Sequence, residues 1–375
     1  MRKLGLKGKI MLLLIVFSLI PLAGVGYLLT EKYMKELENK SMESVLEIVK
    51  GKSETYGKEF SEFKISAESL ALYIADIWGT GDGEANYSFI WISPNGTGYE
   101  KYESEIKNYG LMLNGLQLVA QKREKIELAY FGTESGVVFF DKPIVSIIKE
   151  KAPFDHRTRP WYTLAKSENK TVWTPVYIDA NTGKLVTTVA TPVYIDNIFL
   201  GVVGLDLLLE TIQQSILDIR FTGAGYAILV DEKGNIIVHP EYTAEEKQWN
   251  ETFHEINVRN ISGLEMIGEE MIHGIESAKK VYVEGKEYYV AYAPIREING
   301  SLAFLIEKDK IMQPIISMRN GVYMVIIILG LFGAILGIIF AKSITDSLEK
   351  LQRGAEEVAK GNFNYKIGND GDDEI

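Results

Sequence analysis

Two uncharged apolar runs, separated by about 290 residues, dominate what this chain can become. The first extends from Ile10 to Leu29 and the second from Gly321 to Ala341. Each is long enough to cross a ~30 Å hydrocarbon core as a helix, which takes about 20 residues. The first follows Arg2, Lys3, Lys7 and Lys9, as a secretory signal would, but it is longer than a signal core and runs into charged helical text without a small-x-small cleavage site. It therefore reads as an uncleaved anchor. Basic residues with no acidic neighbour before it keep the N-terminus in the cytoplasm, and a second span returns the C-terminus there. The section from Thr30 to Asn320 is then expected outside the membrane. Seven Asn-x-Ser/Thr sequons, at Asn39, Asn86, Asn95, Asn169, Asn250, Asn260 and Asn299, fall in it; the section is most of the chain, so they add little weight.

The formal net charge of -11 argues against a nucleic-acid binder or a polybasic membrane-surface protein. The absence of cysteine excludes disulfides, thiol catalysis and Cys-based zinc sites. The histidines, His156, His239, His254 and His273, show no ligand spacing, so no metal is expected. No Gly-x-Ser-x-Gly elbow or phosphate loop is present, and no cofactor motif. An extracytoplasmic enzyme would need a constellation that these residues do not show.

From Thr30 to Ile77 apolar residues such as Tyr33, Leu37, Val45, Ile48, Val49, Phe60, Phe63 and Ile74 recur at helical intervals with no proline, predicting one long helix of ~70 Å at 1.5 Å per residue. After Gly79-Thr80-Gly81-Asp82-Gly83 the texture turns to strand. Tyr130 to Phe140 reads as strand, turn, strand, with Gly136 at a positive φ. Arg159-Pro160-Trp161-Tyr162 opens a helix with proline in its first turn. A meander follows: Thr171 to Ile178, a turn at Asn181-Thr182-Gly183, Leu185 to Val193, a turn at Asp196-Asn197, then Phe199 to Leu208. The same order returns in Tyr226 to Val238, helical text, and Lys280 to Val283, Glu287 to Pro294 and Leu302 to Glu307. This predicts a duplicated α+β unit, linked by a helical stretch from Leu208 to Ile219.

The order of anchor, long helix, two sheet units and second span, with Arg159-Pro160-Trp161-Tyr162, Gly201-Val202-Val203-Gly204-Leu205-Asp206 and Val230-Asp231-Glu232-Lys233-Gly234-Asn235-Ile236-Ile237, resembles the double Cache sensors of chemoreceptors and sensor kinases. That resemblance implies an α+β fold of two PAS-like antiparallel sheets with flanking helices. Beyond the second span, Ile344, Leu348, Leu351, Ala355 and Val358 alternate steps of four and three, a coiled-coil seam. Together with Gly361-Asn362-Phe363 and Asp373-Glu374-Ile375 this stretch is similar to the first helix of a HAMP relay, with Ser347 where proline is usual. The expected organisation is 1–9 cytoplasmic, 10–29 first span, 30–80 long helix, 81–212 membrane-distal Cache domain, 213–318 membrane-proximal Cache domain, 319–341 second span and 342–375 partial HAMP. No methyl-accepting hairpin, kinase or cyclase text follows, which leaves the output to a longer protein or a cytoplasmic partner.

An α-amino acid presents a carboxylate and an ammonium a few ångströms apart, and a site that dehydrates both must supply charge and hydrogen bonds to each. Arg159 offers paired donors to the carboxylate; Trp161 and Tyr162 add an N–H and an O–H on rigid bodies. Asp206 is the natural ammonium partner, with Tyr177 and Asp179 as further acceptors. The resemblance assigns the same residues to the amino-acid-binding subgroup of Cache domains, with one departure: Phe154 stands where a tyrosine is usual. Each residue also has a plainer reading: Arg159 paired with Asp155, Trp161 in the core, Tyr177 exposed on a strand. The expectation is a non-catalytic, homodimeric membrane sensor for a small ligand, most simply an amino acid. A surface-binding protein that no longer signals and the input half of a sensor histidine kinase are the alternatives, with an extracytoplasmic enzyme a more distant third.

Overall fold

The structure, a computed structural model, describes residues 6–212, 225–240 and 248–366. They fall into two compact units: Met1–Ser41 with Ile311–Ile375, and Met42–Lys310.

The larger unit holds two antiparallel sheets along the C-terminal part of helix α1, which extends from Leu6 to Ile77. The expected helix is there, and the first apolar run is helical within the same element. Val45, Val49, Tyr56, Phe60, Phe63, Ala67, Leu70 and Ile74 are buried at steps of three, four and seven, while Leu72 on the opposite face is 74% exposed. The buried stripe serves both sheets. Phe60 packs edge-on against Trp173 at 5.1 Å and Trp78 against Phe131 at 5.8 Å in the first. Ser53 donates its hydroxyl to the Pro294 carbonyl, and Lys50 pairs with Glu276 at 2.9 Å, in the second.

The first sheet comprises β1 (Ile90–Ile92), β2 (Ile126–Thr133), β3 (Val137–Phe140), β4 (Val172–Trp173), β5 (Tyr177–Ile178), β6 (Leu185–Ile195) and β7 (Ile198–Leu208). Its order is β1-β3-β2-β7-β6-β4, with β5 also on β6. Helices α2 (Glu103–Ile106), α3 (Tyr109–Lys122), α4 (Val145–Glu150) and α5 (Pro160–Glu168) complete this layer. The second sheet contains β8 (Gly225–Val230), β9 (Ile236–Val238), β10 (Ser277–Val283), β11 (Lys286–Ile295) and β12 (Gly300–Glu307), ordered β10-β11-β12-β8-β9, with α6 (Glu265–Ile272) beside it. The duplication read in the sequence is therefore real: β3-β2-β7-β6 and β9-β8-β12-β11 are one topology used twice.

The turns form where expected. Gly136 has φ +128° and Gly183 φ +68°, and Asp196 and Asn197 both take positive φ, as a two-residue hairpin turn requires. One expected strand does not form whole. Thr171 to Ile178 breaks into β4 and β5 because Pro175 has no N–H for the ladder, and the Val176 N–H instead donates to Glu255 Oε1 at 2.8 Å. The linker expected from Leu208 to Ile219 is helical at residues 209–212, and its remainder lies outside the described residues, as does Asp373-Glu374-Ile375.

Helix α7 (Lys308–Ala359) follows β12 without a linker, and its part from Ile311 onward, in the smaller unit, contains the second apolar run and the heptad-like seam. Among the described residues, α7 is the helix long and apolar enough to cross a membrane. Thr30 Oγ1 donates to the Gly26 carbonyl at 2.7 Å, and a side chain at Gly26 would collide with Ile326.

Phe60→Ala should cost about 3–5 kcal/mol by emptying the contact between α1 and the first sheet, whereas Leu72→Ala should stay within about 0.5 kcal/mol. Denaturant unfolding of both variants checks this; equal losses would contradict the assignment of the buried face.

Candidate ligand-binding site

The inner face of the first sheet is set by strand register. Asp206 on β7 lies opposite Leu128 of β2 and Thr188 of β6, and Gly204 lies opposite Tyr130 and Ala190. Residues two apart share a face. Leu128, Tyr130, Thr188, Ala190, Gly204 and Asp206 therefore look the same way, joined from β3 by Val138 and Phe140.

Asp206 is 2% exposed. Three hydroxyls gather on its Oδ1: Tyr130 donates at 2.6 Å, Thr188 at 2.6 Å, and Tyr177 lies 3.2 Å away while also 2.7 Å from the Thr188 hydroxyl. None of these three bonds uses Oδ2. Burial pushes the carboxyl up to about 7, repulsion from Asp179 adds to that, and the three hydroxyls pull the other way. The same burial and the neighbouring carboxylate hold the Tyr130 and Tyr177 phenols well above their ordinary range, so both stay protonated donors.

Tyr130 reaches Asp206 by lying across Gly204, where an added Cβ would fall on the ring and 2.8 Å from its Oη. Gly204 is thus a clearance for one phenol. Gly132 does the same for Trp161, whose ring end would sit 2.8 Å from a Cβ there.

Arg159 is the N-cap residue of α5, extended at φ -77°, ψ 149°, with Pro160 beginning the helix behind it. Its guanidinium donates to the Ile178 carbonyl at 2.8 Å and the Trp249 carbonyl at 3.4 Å, and rests over the rings of Tyr177 at 5.1 Å and Trp249 at 5.4 Å. Asp155 does not pair with it. That carboxylate caps the turn at His156–Thr158 and binds Arg157 through both oxygens, at 2.9 and 2.8 Å, which holds it below the usual carboxylate range against the effect of burial. Among the described residues no carboxylate pairs with Arg159. Tyr177 stands between the two charges, with its ring under the guanidinium and its hydroxyl on the carboxylate.

Arg159, Trp161, Tyr177, Asp179, Asp206 and Phe154 line one cavity of about 30 Å³. That is room for about two waters. Trp161 is wall and core at once: 4% exposed, packed on Tyr130 at 4.7 Å and stacked on His156 at 6.0 Å. His156 is fully buried, 2.8 Å from Ser93 Oγ through Nδ1 and 2.9 Å from the Thr133 carbonyl through Nε2. A carbonyl only accepts, so the proton sits on Nε2; burial pushes the imidazole down to about 4, and it is neutral at pH 7. Asp179 turns its carboxylate onto the Asn181 and Thr182 N–H groups, at 3.1 and 2.7 Å, and the Thr182 hydroxyl at 2.8 Å, so it builds the turn beside the cavity. Phe154 is fixed by the Trp91 indole N–H on its carbonyl at 2.9 Å and by its own N–H on the Pro94 carbonyl at 2.8 Å.

Tyr162 is not in this group. It is buried, but its hydroxyl donates to Glu134 Oε2 at 2.6 Å beside Lys166 and Phe199, away from the cavity lining. Successive residues on a helix point about 100° apart. With Trp161 turned inward on α5, Tyr162 cannot follow it. In exchange the structure adds Tyr130, Thr188 and Trp249. Among the described residues no group of three His, Asp or Glu side chains is arranged to hold a metal.

The second sheet carries the same positions with other chemistry. Aligning Pro192 of β6 with Pro294 of β11 places Leu305 where the first sheet has Asp206, Val290 for Thr188, Ile228 for Tyr130 and Tyr292 for Ala190. Tyr292 is fully buried and its hydroxyl bonds Glu270, which also pairs with Lys279. At these positions the anchor is hydrocarbon and the space near the small residue is occupied by a ring.

A family model described as a Cache domain matches residues 33–315, and one described as a HAMP domain matches residues 339–375. This chain belongs to the Cache domain family. The Cache protein is 29% identical over 241 residues to methyl-accepting chemotaxis protein PscA of Pseudomonas syringae pv. tomato, a match covering 64% of this chain and 36% of that one. It is 23% identical over 307 residues to methyl-accepting chemotaxis protein McpC of Bacillus subtilis, covering 82% of this chain and 42% of that one. The match thus spans less than half the length of either relative. The crystal structure of the extracellular domain of mmHK1S-Z3 shares the fold, with a TM-score of 0.51 at 15% identity over 76% of this chain and 98% of that one. The chain is a chemoreceptor-like double Cache sensor followed by HAMP sequence.

Gly204→Ala should destabilise the Cache unit by about 1–3 kcal/mol by forcing the Tyr130 ring aside. In combination with Tyr130→Ala the added methyl should cost much less, giving a coupling of at least about 0.5 kcal/mol in a double-mutant cycle. Additive losses in denaturant unfolding would show that the clearance has no such purpose.

Proposed function

We propose that this chain is the sensing part of a chemotaxis-type receptor, and that its first sheet binds an α-amino acid outside the cell membrane. The observation that carries this is one cavity shared by a buried carboxylate with three hydroxyls on a single oxygen and a guanidinium with no carboxylate of its own among the described residues. Such a pair is complementary to a zwitterion. The ammonium is taken by Asp206, where it also relieves the repulsion from Asp179; the carboxylate is taken by Arg159, replacing the carbonyls of Ile178 and Trp249. Trp161 and Tyr177 form the walls between these charges. Tyr162 acts from outside, by fixing α5 to Glu134. With room for only about two waters, the cavity must widen to admit a ligand.

That widening supplies the signal. Trp249 lies in the connection between β9 and α6 of the second sheet, whose last strand ends at Glu307 immediately before α7 begins at Lys308. Ligand-driven displacement of Trp249 biases the second sheet and then α7, for which a coupling of about 1–3 kcal/mol is sufficient. In this reading the runs at 10–29 and 319–341 are two spans with the sensor outside. The seam of Ile344, Leu348, Leu351, Ala355 and Val358, whose large members are 36–46% exposed in the single chain, closes in a homodimer. The chemotaxis proteins to which the chain is similar favour that class of cytoplasmic output over a kinase.

Titration calorimetry of the full chain in lipid nanodiscs with a panel of amino acids tests the reading. At least one should bind, and Asp206→Ala or Arg159→Ala should each weaken it by 2–5 kcal/mol, the usual cost of leaving a buried charge partner alone. Binding that survives both substitutions, or no binding at all, would remove the hypothesis.

Affinity should also depend on pH. The carboxyl of Asp206 titrates near 7 in the ligand-free protein and must be ionised to hold an ammonium, so affinity should be flat above about pH 7 and fall toward tenfold per unit below it. His156, neutral down to about pH 4, adds nothing in that window. Titrations in buffers of different ionisation enthalpy should show proton release on binding near pH 6. A pH-independent affinity between 5 and 8 would contradict the assigned role of Asp206.

A further inference from the structure

The cavity is polar at one side of the sheet and hydrocarbon at the other, and strand order determines which is which. Asp206 and Thr188 belong to β7 and β6; β2 follows, then β3, each step about 4.8 Å. Next to Asp206 in register is Leu128, and β3 continues the same face with Phe140, opposite Tyr130, and Val138, opposite Gly132. Over them lie Ile144 and Ile148 at α4, and Phe154. All six are at most 6% exposed.

The polar groups of the cavity are accounted for elsewhere. Arg159, Asp179 and Asn181 belong to the start of α5 and the β5–β6 turn, Tyr130 and Tyr177 are turned onto Asp206, and both nitrogens of His156 are engaged by Ser93 and Thr133. A ligand whose ammonium sits at Asp206 and whose carboxylate sits at Arg159 has the wall of β3 and α4 left for its side chain, where among the described residues no charge or free hydrogen-bonding side chain lines the cavity. A charged or amide side chain would lose its water there without a partner. Phe154 belongs to this wall, and the absence of a hydroxyl there removes a polar atom from the side that receives the side chain.

We propose that Leu128, Val138, Phe140, Ile144, Ile148 and Phe154 form a side-chain subsite that restricts the ligand to uncharged aliphatic amino acids. The proposal rests on the zwitterion reading above and adds the identity of the side chain. It makes α4 the element that adapts, because this six-residue helix carries Ile148 and follows directly on Ile144, and the cavity, which has to widen for any amino acid, has to widen further on this side as the side chain grows.

Calorimetry of the full chain in nanodiscs with glycine, L-valine, L-leucine, L-phenylalanine, L-aspartate and L-arginine tests it. Valine or leucine should bind at least about tenfold more tightly than glycine, the lower end of what a hydrophobic pocket gains from aliphatic groups, and aspartate and arginine should be weaker still. Aspartate or arginine binding as tightly as leucine would overturn the subsite while leaving the zwitterion anchor standing; silence from the whole panel would overturn both. Ile148→Ala separates selection from general packing. It should raise the affinity for phenylalanine relative to valine by about tenfold, whereas a merely structural loss would weaken the two alike and leave the ratio unchanged, which would overturn the assignment. Should that variant fail to fold, the wild-type ranking decides alone.

Discussion

A carboxylate in the middle of a sheet face is the constraint around which the first Cache unit is arranged. Dehydrating Asp206 opposes its ionisation, and a position 2% exposed is tolerable only because hydroxyls are brought to it from three strands. Each of those deliveries imposes a further condition. Tyr130 needs a residue without a side chain at Gly204, Thr188 needs β6 in register with β7, and Tyr177 needs β5 to re-form after Pro175 has broken the strand. The second sheet shows the alternative outcome of the same topology. With Leu305, Val290 and Ile228 in the equivalent places, its core closes on itself.

Much of this was legible in the chain. Alternating apolar runs and Gly or Asn turns located the strands, and the repeated order predicted two copies of one unit. Asp206 stood out because a carboxylate ending an apolar strand needs a reason to be there. Tyr130 and Thr188 did not stand out, since alternation says which residues share a face but register alone says which of them meet across strands. Comparison of the two copies position by position would have marked both, because each faces hydrocarbon in the other sheet. Trp249 was beyond reach: its contact with Arg159 joins residues 90 apart through the packing of one unit on another. Tyr162 was read together with Trp161, but on α5 the two side chains point apart and the Tyr162 hydroxyl goes to Glu134.

Arg159 makes the converse point about spacing. Its neighbour Arg157 takes Asp155 and leaves the second guanidinium to ring faces and carbonyls, partners that hold a cation without neutralising it. A cation so placed keeps its orientation and retains its charge for another anion. The short segment from Asp155 to Tyr162 thus contains a closed ion pair, an open cation, a wall of the cavity and the bond that fixes the helix.

The hydrogen bond from Val176 to Glu255 sets a threshold on motion between the two sheets. Pro175 has released the Val176 N–H from the first ladder, and a residue from the chain of the second unit accepts it. Any separation large enough to break that bond leaves a backbone donor unpaired in a largely buried place, at about 1–3 kcal/mol. Small shifts are therefore restored, and larger ones must find a new partner for the N–H one residue from Tyr177, so displacement of one sheet against the other proceeds by a step rather than a slide.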